Sequence, residues 1–171
     1  MMKTIFISIV FISSLFASEY NSKTPGVAPI NNSLYINECA ACHFAYQPGL
    51  LPSNSWKKLM SNLQNHFGTD ATLADEDFIA ISKYLEQNSA EKSYNYKRSY
   101  KIANSMRDDG TIIAISKTPY FVKEHRGIPK KFIEQEEVKG LFNCKACHTT
   151  AQKGIYSERD ILIPNYGRWD D

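Results

Sequence analysis

All four cysteines of the 171-residue sequence fall in two copies of one five-residue pattern. The first is Cys39-Ala40-Ala41-Cys42-His43, and the second is Cys144-Lys145-Ala146-Cys147-His148. Cys-x-x-Cys-His is the attachment pattern of a c-type haem. The spacing follows from the chemistry. Two thiols must add to the two vinyl groups on one porphyrin edge, and cysteines three residues apart sit close to one helical turn apart. The following residue then offers its imidazole to the iron as proximal ligand. A redox dithiol, structural disulfides or a zinc site would also use Cys-x-x-Cys. None of these requires a histidine directly after the second cysteine. Histidine is 4 of 171 residues, so finding it in that place twice is a strong signal. The expectation is two covalent haem c groups, on Cys39/Cys42 and Cys144/Cys147, with His43 and His148 on the irons.

Two haems also answer a problem of size. A chain this short holds one domain or two very small ones, each short of apolar core. A large apolar disc in each half, 18–90 and 91–171, gives the chain something to collapse around. The apo-protein is expected to fold poorly. With 43% hydrophobic and 22% charged residues, the composition excludes a mostly disordered chain. A formal net charge of +2 is too weak for a nucleic-acid binder.

Residues 1–17 read as a removable export signal. A basic start at Lys3 precedes the apolar run Thr4 to Phe16, and the small residue Ala17 follows. The run is 13 residues, against about 20 for a spanning helix. The expected location is the periplasm, with no stable membrane insertion after cleavage.

Each iron needs a sixth ligand if it is not to stay open, and histidine or methionine is the common choice. His66 and His125 are the remaining histidines; Met60 and Met106 are the methionines outside the signal. An amphipathic helix is predicted from Ser55 to Phe67, with Trp56, Leu59, Met60, Leu63 and Phe67 on one face and Gly68 as the stop. His66 flanks that face, while Met60 belongs to the packed stripe. A second helix starts at Thr118 as N-cap and Pro119 as first residue, and ends before Gly127. It sets His125 beside Phe121 and Val122 on the apolar face. Met106, near a turn, is the runner-up ligand. The favoured pairs are His43/His66 and His125/His148; a crossed arrangement would use the same four residues. Irons closed by two imidazoles are low-spin and have no place for substrate, which suits electron transfer. The alternative is a dihaem enzyme, such as a peroxidase, or a gas or redox sensor with one labile distal histidine.

The sequence resembles the dihaem cytochrome c family of exported bacterial electron carriers. The resemblance lies in Cys39–His43 with the following F-A-Y-Q-P-G-L-L-P-S-N-S-W (44–56), N-H-F-G (65–68), T-P-Y-F-V-K-E-H-R (118–126) and C-K-A-C-H (144–148). It covers roughly residues 36–164 and leaves the tail after Pro164 unmatched. It implies a mainly α, small cytochrome c-like fold around two haems, with little β structure and with His66 and His125 as distal ligands. It also implies redox-protein partners, such as a membrane b-type cytochrome or a small oxygen-binding c-type haem protein.

The rest of the chain reads as follows. Residues 18–34 form an extended arm, and a helix from about Leu34 carries the first motif. A helix at 74–88 buries Phe78, Ile79, Ile81, Ser82 and Leu85, with Asp75, Glu76 and Asp77 favouring its N-terminus. The polar stretch 86–95 is a hinge between halves. A tyrosine-rich helix runs to a turn at Asp109-Gly110, and 111–115 is a brief strand or an extended segment. A last helix spans 136–148, and 161–164 is extended. Residues 92–131 carry 10 basic and 3 acidic side chains between two acidic ends. Lys97, Arg98, Lys101, Lys130 and Lys131 are therefore candidates for docking an acidic partner, or for pairing with haem carboxylates.

Overall fold

The computed structural model describes residues 23–106 and 110–169. The export segment and the Asp109 half of the expected turn lie outside them. Among the described residues the chain forms six α-helices: α1 (Ser33–Cys39), α2 (Ser53–Met60), α3 (Asp75–Gln87), α4 (Lys97–Ser105), α5 (Pro119–His125) and α6 (Lys130–Ile133). Short 3-10 turns join them. One two-stranded antiparallel hairpin, β1 (Leu162–Ile163) with β2 (Gly167–Arg168), closes the chain. No helix among the described residues is long and apolar enough to cross a membrane.

The first core cluster is built by α1, α2 and α3. Asn32 caps α1 by accepting from the Tyr35 amide at 2.9 Å. Tyr35, Leu51, Trp56, Met60, Ile81 and Leu85 are buried together. The polar tips of the two aromatics are satisfied: Tyr35 donates to the Tyr46 carbonyl at 2.7 Å, and the Trp56 indole donates to the Pro48 carbonyl at 2.7 Å. Met60 is thus core, as its place in the apolar stripe predicts. Helix α3 keeps the expected bounds, but its buried face is narrower than the pattern suggests. Ile81 and Leu85 are inside, whereas Phe78 and Ile79 are exposed.

The second cluster joins Val27, Leu50, Ala90, Ile102, Ala151 and Tyr156, residues from every third of the chain. The N-terminal arm is pinned rather than loose. The amides of Gly26 and Val27 donate to the Gly154 carbonyl at 2.8 and 3.2 Å, and the Arg98 amide donates to the Gly26 carbonyl at 2.9 Å. The polar 86–95 stretch is also held. The Ala90 amide donates to Leu51, and the Glu91 carboxylate accepts from the Ser89 hydroxyl and the Ser53 amide.

Buried Gln47 links the halves: its amide donates to the Ala151 carbonyl at 2.6 Å, and its oxygen accepts from the Tyr156 hydroxyl at 2.6 Å. Gln47→Leu leaves the Tyr156 hydroxyl without its partner and takes one of two bonds from the Ala151 carbonyl, which keeps the Gly154 amide at 2.9 Å. An unsatisfied buried hydroxyl costs about 1–3 kcal/mol and a lost bond about 1 kcal/mol, so the holoprotein is expected to lose about 2–4 kcal/mol in denaturant unfolding. An unchanged midpoint would contradict this role.

Three sequence expectations are corrected, and a fourth is narrowed. Helix α1 ends at Cys39, so the rest of the first motif is a turn rather than helix. The Ser55–Phe67 helix stops at Met60, after starting at Ser53. Polar side chains beyond it bond to local backbone: the Ser61 hydroxyl donates to Lys58 at 2.9 Å, and Asn65 accepts from the Gly68 amide at 3.1 Å. Such bonds compete with helix continuation. No helix spans 136–148. Lys139 and Gly140 both have positive φ there, and the Asn143 side chain donates to the Val138 carbonyl. Of the two forms open to residues 111–115, the strand is absent, and their last residue enters a 3-10 turn, Ile115–Lys117. An apolar β-branched run becomes a strand only with a partner to pair with. Before it, Gly110 has φ +71°, and a Cβ there would stand 2.9 Å from the Asn54 carbonyl oxygen. Only glycine meets both demands without strain.

Candidate functional site

The structure brings the four histidines together as two pairs: His43 with His66, and His125 with His148. In each pair the ring centroids are 6.2 Å apart. With a metal–nitrogen bond of about 2.0 Å, two imidazoles sharing one metal ion place their centroids about 6 Å apart. The ring planes differ between the pairs, meeting at 30° in the first and 70° in the second.

The first pair is set by loops. His43 follows the turn that ends α1, and its Nδ1 lies 2.9 Å from the Phe44 carbonyl. That contact assigns the hydrogen to Nδ1 and leaves Nε2 with its lone pair for a metal. Tyr46 lies against the ring at a centroid distance of 4.7 Å. His66 stands just past the 3-10 turn Leu63–Asn65, held by reciprocal backbone bonds with Thr69 of 2.8 and 3.1 Å. Burial and the facing His43 both lower the His66 pKa. This site is open to solvent: Cys42 is exposed, and Phe67, packed on the His66 ring, is 63% exposed. Cys39 is half-buried, and burial followed by the Glu38 charge pushes its thiol up to about 11.

The second pair is set by a helix and a hairpin. Thr118 caps α5 through the Phe121 amide, and Pro119 begins the helix, as the sequence predicts. At its last residue, His125 Nδ1 is 2.8 Å from the Phe121 carbonyl, and the Phe121 ring stacks on the imidazole at 3.7 Å and 8°. The second motif coils through the 3-10 turn Cys144–Ala146, and the Cys147 carbonyl accepts from the Leu162 amide of β1 at 3.0 Å. His148 lies deeper. Burial first, then His125 and Arg98, push its pKa down to about 4. Burial likewise pushes the Cys144 thiol up to about 12.

A cavity of about 510 Å³ opens between these groups, lined by His125, His148, Cys144, Cys147, Phe121, Phe132, Val138 and Tyr156 among others. That is the size of a cofactor pocket. His148 Nδ1 is buried without a hydrogen-bond partner. The 6.2 Å between the His125 and His148 ring centroids leaves room for one atom between the two imidazoles. Paired thiols beside facing imidazoles are the donor set that a covalently attached haem uses, so the residues at both sites fit the group.

The structure also shows what sequence reasoning missed. Trp169, in the unmatched tail, lines the second cavity, and Tyr166 packs on Phe132 at 4.6 Å. Short stretches with no periodicity carried no signal for this wall. Arg98, which the basic belt offered for docking or for pairing with haem carboxylates, turns inward to Tyr120 and Tyr156. Met106 packs against the second core cluster.

A family model described as "Dihaem cytochrome c" matches residues 35–156. Among solved structures, a diheme cytochrome c of Shewanella baltica is 32% identical with a TM-score of 0.65; the match covers 81% of this chain and 98% of that one. A diheme cytochrome c of Rhodobacter sphaeroides is 34% identical with a TM-score of 0.67, covering 76% of this chain and all of that one. A second structure from Rhodobacter sphaeroides is 35% identical with a TM-score of 0.60, covering 75% and 99%. A comparison with curated proteins finds no match. The paired motifs, the mainly helical fold and the extent of these matches lead to one conclusion: the chain belongs to the dihaem cytochrome c family and carries two haem c groups.

Proposed function

We propose that the protein is a periplasmic carrier of single electrons whose two irons are each closed by two histidines. Cys39 and Cys42 attach the first haem, with His43 and His66 on its iron. Cys144 and Cys147 attach the second, with His148 and His125 on its iron. When bound, each haem supplies a one-electron ferric/ferrous couple. The observation that carries this reading is the 6.2 Å separation of facing imidazoles in both pairs.

The protein's own groups support the assignment. The Phe44 and Phe121 carbonyls orient the His43 and His125 rings by holding Nδ1. Second contacts of this kind fix ring orientation and raise ligand basicity. The Phe121 ring covers one face of His125, so that imidazole has little freedom to leave. With all four axial positions taken by protein, substrate has no open coordination place, which favours a carrier over a peroxidase or gas sensor. Partners on this reading are other redox proteins, with a membrane b-type cytochrome or a small oxygen-binding c-type haem protein as candidates. Export by the 1–17 segment would place the mature chain in the periplasm.

The test is the visible spectrum of the purified holoprotein, ferric and ferrous, then ferrous under carbon monoxide. Low-spin spectra that carbon monoxide leaves unchanged are expected. A high-spin haem, or ready binding of carbon monoxide, would overturn the closed-iron reading in favour of the enzyme or sensor.

A further inference from the structure

We propose that Arg98 is the fixed cation of the second haem's pocket, receiving one of that haem's carboxylates and making the second haem the easier of the two to reduce. This rests on the ligand reading above. Arg98 lies on α4, outside both motifs. Its stem passes under the N-terminal arm, where a Cβ added to Gly26 would stand 3.0 Å from both Cγ and Cδ of Arg98. Its backbone amide is tied to the Gly26 carbonyl. The guanidinium donates to the Tyr120 hydroxyl at 2.8 Å and to the Tyr156 carbonyl. Both partners belong to the second site: Tyr120 is on the His125 helix, and the Tyr156 ring lies 5.4 Å from the His148 ring.

These contacts fix the guanidinium without cancelling its charge, since neither partner is an anion. A phenol and a carbonyl also leave the guanidinium with donors to spare. Arg98 lines the 510 Å³ cavity and also a neighbouring cleft of about 280 Å³, so it stands where the two meet. Lys97, Lys101 and Arg159 line the cleft as well, against Glu124 and Glu158. A cleft richer in cations than in carboxylates, opening off an apolar cavity, suits the acidic edge of a disc whose body is apolar.

The sign of the effect follows from charge. Reduction removes one positive charge from the iron–porphyrin core. A nearby fixed cation favours that loss, and more strongly where water is excluded. Burial acts in the same direction, because a low-dielectric surrounding disfavours the charged ferric core. Both effects belong to the second site, whereas the first is open at Cys42 and Phe67.

The experiment is a potentiometric titration of the holoprotein and its Arg98→Gln, Arg98→Lys and Glu158→Gln variants at low ionic strength. Arg98→Gln should weaken reduction at the higher of the two midpoints about tenfold, which is about 59 mV for one electron. The lower midpoint should stay in place. Arg98→Lys, which keeps the charge, should recover more than half of that shift. Glu158→Gln removes a carboxylate from the cleft without touching the Arg98 hydrogen bonds, and should raise the same midpoint. Movement of the lower midpoint instead, no movement of either, a lysine variant as low as the glutamine one, or a fall in Glu158→Gln would each overturn the role of Arg98.

Electron paramagnetic resonance identifies the sites, since imidazole planes nearer to perpendicular give the larger leading g value. In wild-type protein poised between its midpoints, the surviving ferric signal should be that of the 30° pair. Survival of the 70° pair's signal would overturn the proposed order. A wild type that binds carbon monoxide would overturn the ligand reading whatever the variants do. A wild type closed at both irons, with an unmoved Arg98→Gln midpoint, would overturn the Arg98 proposal alone.

Discussion

Replacing His125 with alanine is expected to give a reduced protein that binds one carbon monoxide per chain, where the wild type binds none. The variant loses an imidazole held at two points, by the Phe121 carbonyl at Nδ1 and by the Phe121 ring on its face. No other histidine is spare, because His43 and His66 face each other at the first site. Met106 is the remaining candidate, and it packs against the cluster of Ile102 and Tyr156. If Met106 swung in, the iron would stay closed and the spectrum would show methionine ligation, contradicting the expectation. His66→Ala should open the first iron in the same way, and the double variant should bind two. The first site should bind the faster of the two, since its surroundings are open where the second is enclosed. Haem content by mass should be unchanged in all three, because the thioether bonds do not depend on the distal ligand.

Removing the second pair of attachment cysteines should unfold one half of the protein and spare the other. On the proposed attachment, Cys144→Ser/Cys147→Ser leaves the second cavity without a haem to fill it. At about 24 cal/mol per Å³ of unfilled apolar space, a 510 Å³ cavity corresponds to a cost on the order of 10 kcal/mol. A whole domain is stable by only about 5–15 kcal/mol, so the walls will not keep their shape. The first cluster differs. Tyr35, Leu51, Trp56, Met60, Ile81 and Leu85 pack on one another, and α2 lies directly on α3. Hydrogen exchange should therefore show α5, α6 and the C-terminal hairpin losing protection, while α2 and α3 retain theirs. Wild-type protection in Pro119–Ile133 of the variant would contradict this. Loss of all four cysteines should collapse the helical signal more broadly.

The cysteine motifs and α5 could be read without coordinates for the same reason: their information is local. Cys-x-x-Cys-His is a geometric requirement contained within five residues. The Thr118-Pro119 start and the Gly127 stop act within one turn of the α5 ends. The absent 136–148 helix shows the converse. Its apolar residues suit a helix, yet Lys139-Gly140 adopts positive φ and Asn143 folds back on Val138 so that Cys144 and Cys147 reach the cavity. The α3 stripe failed on a similar point. Periodicity marks a face as apolar, but what lies opposite decides how much of it is covered, and Phe78 and Ile79 meet solvent.

By itself, the sequence offered the paired attachment motifs, the histidine that follows each and the short list of groups able to complete each iron. Those follow from bond lengths and from the small number of soft nitrogen and sulfur donors in the chain. Only the tertiary structure decided which histidines face each other, that the tail walls the second cavity, and that Gln47 ties the halves together. It also turned Arg98 inward, half-buried against Tyr120 and Tyr156. Each of these depends on where distant segments meet, as when the N-terminal arm crosses Gly154 and the Arg98 stem. Such meetings are set by the summed packing of the whole chain, and no window of neighbouring residues contains them.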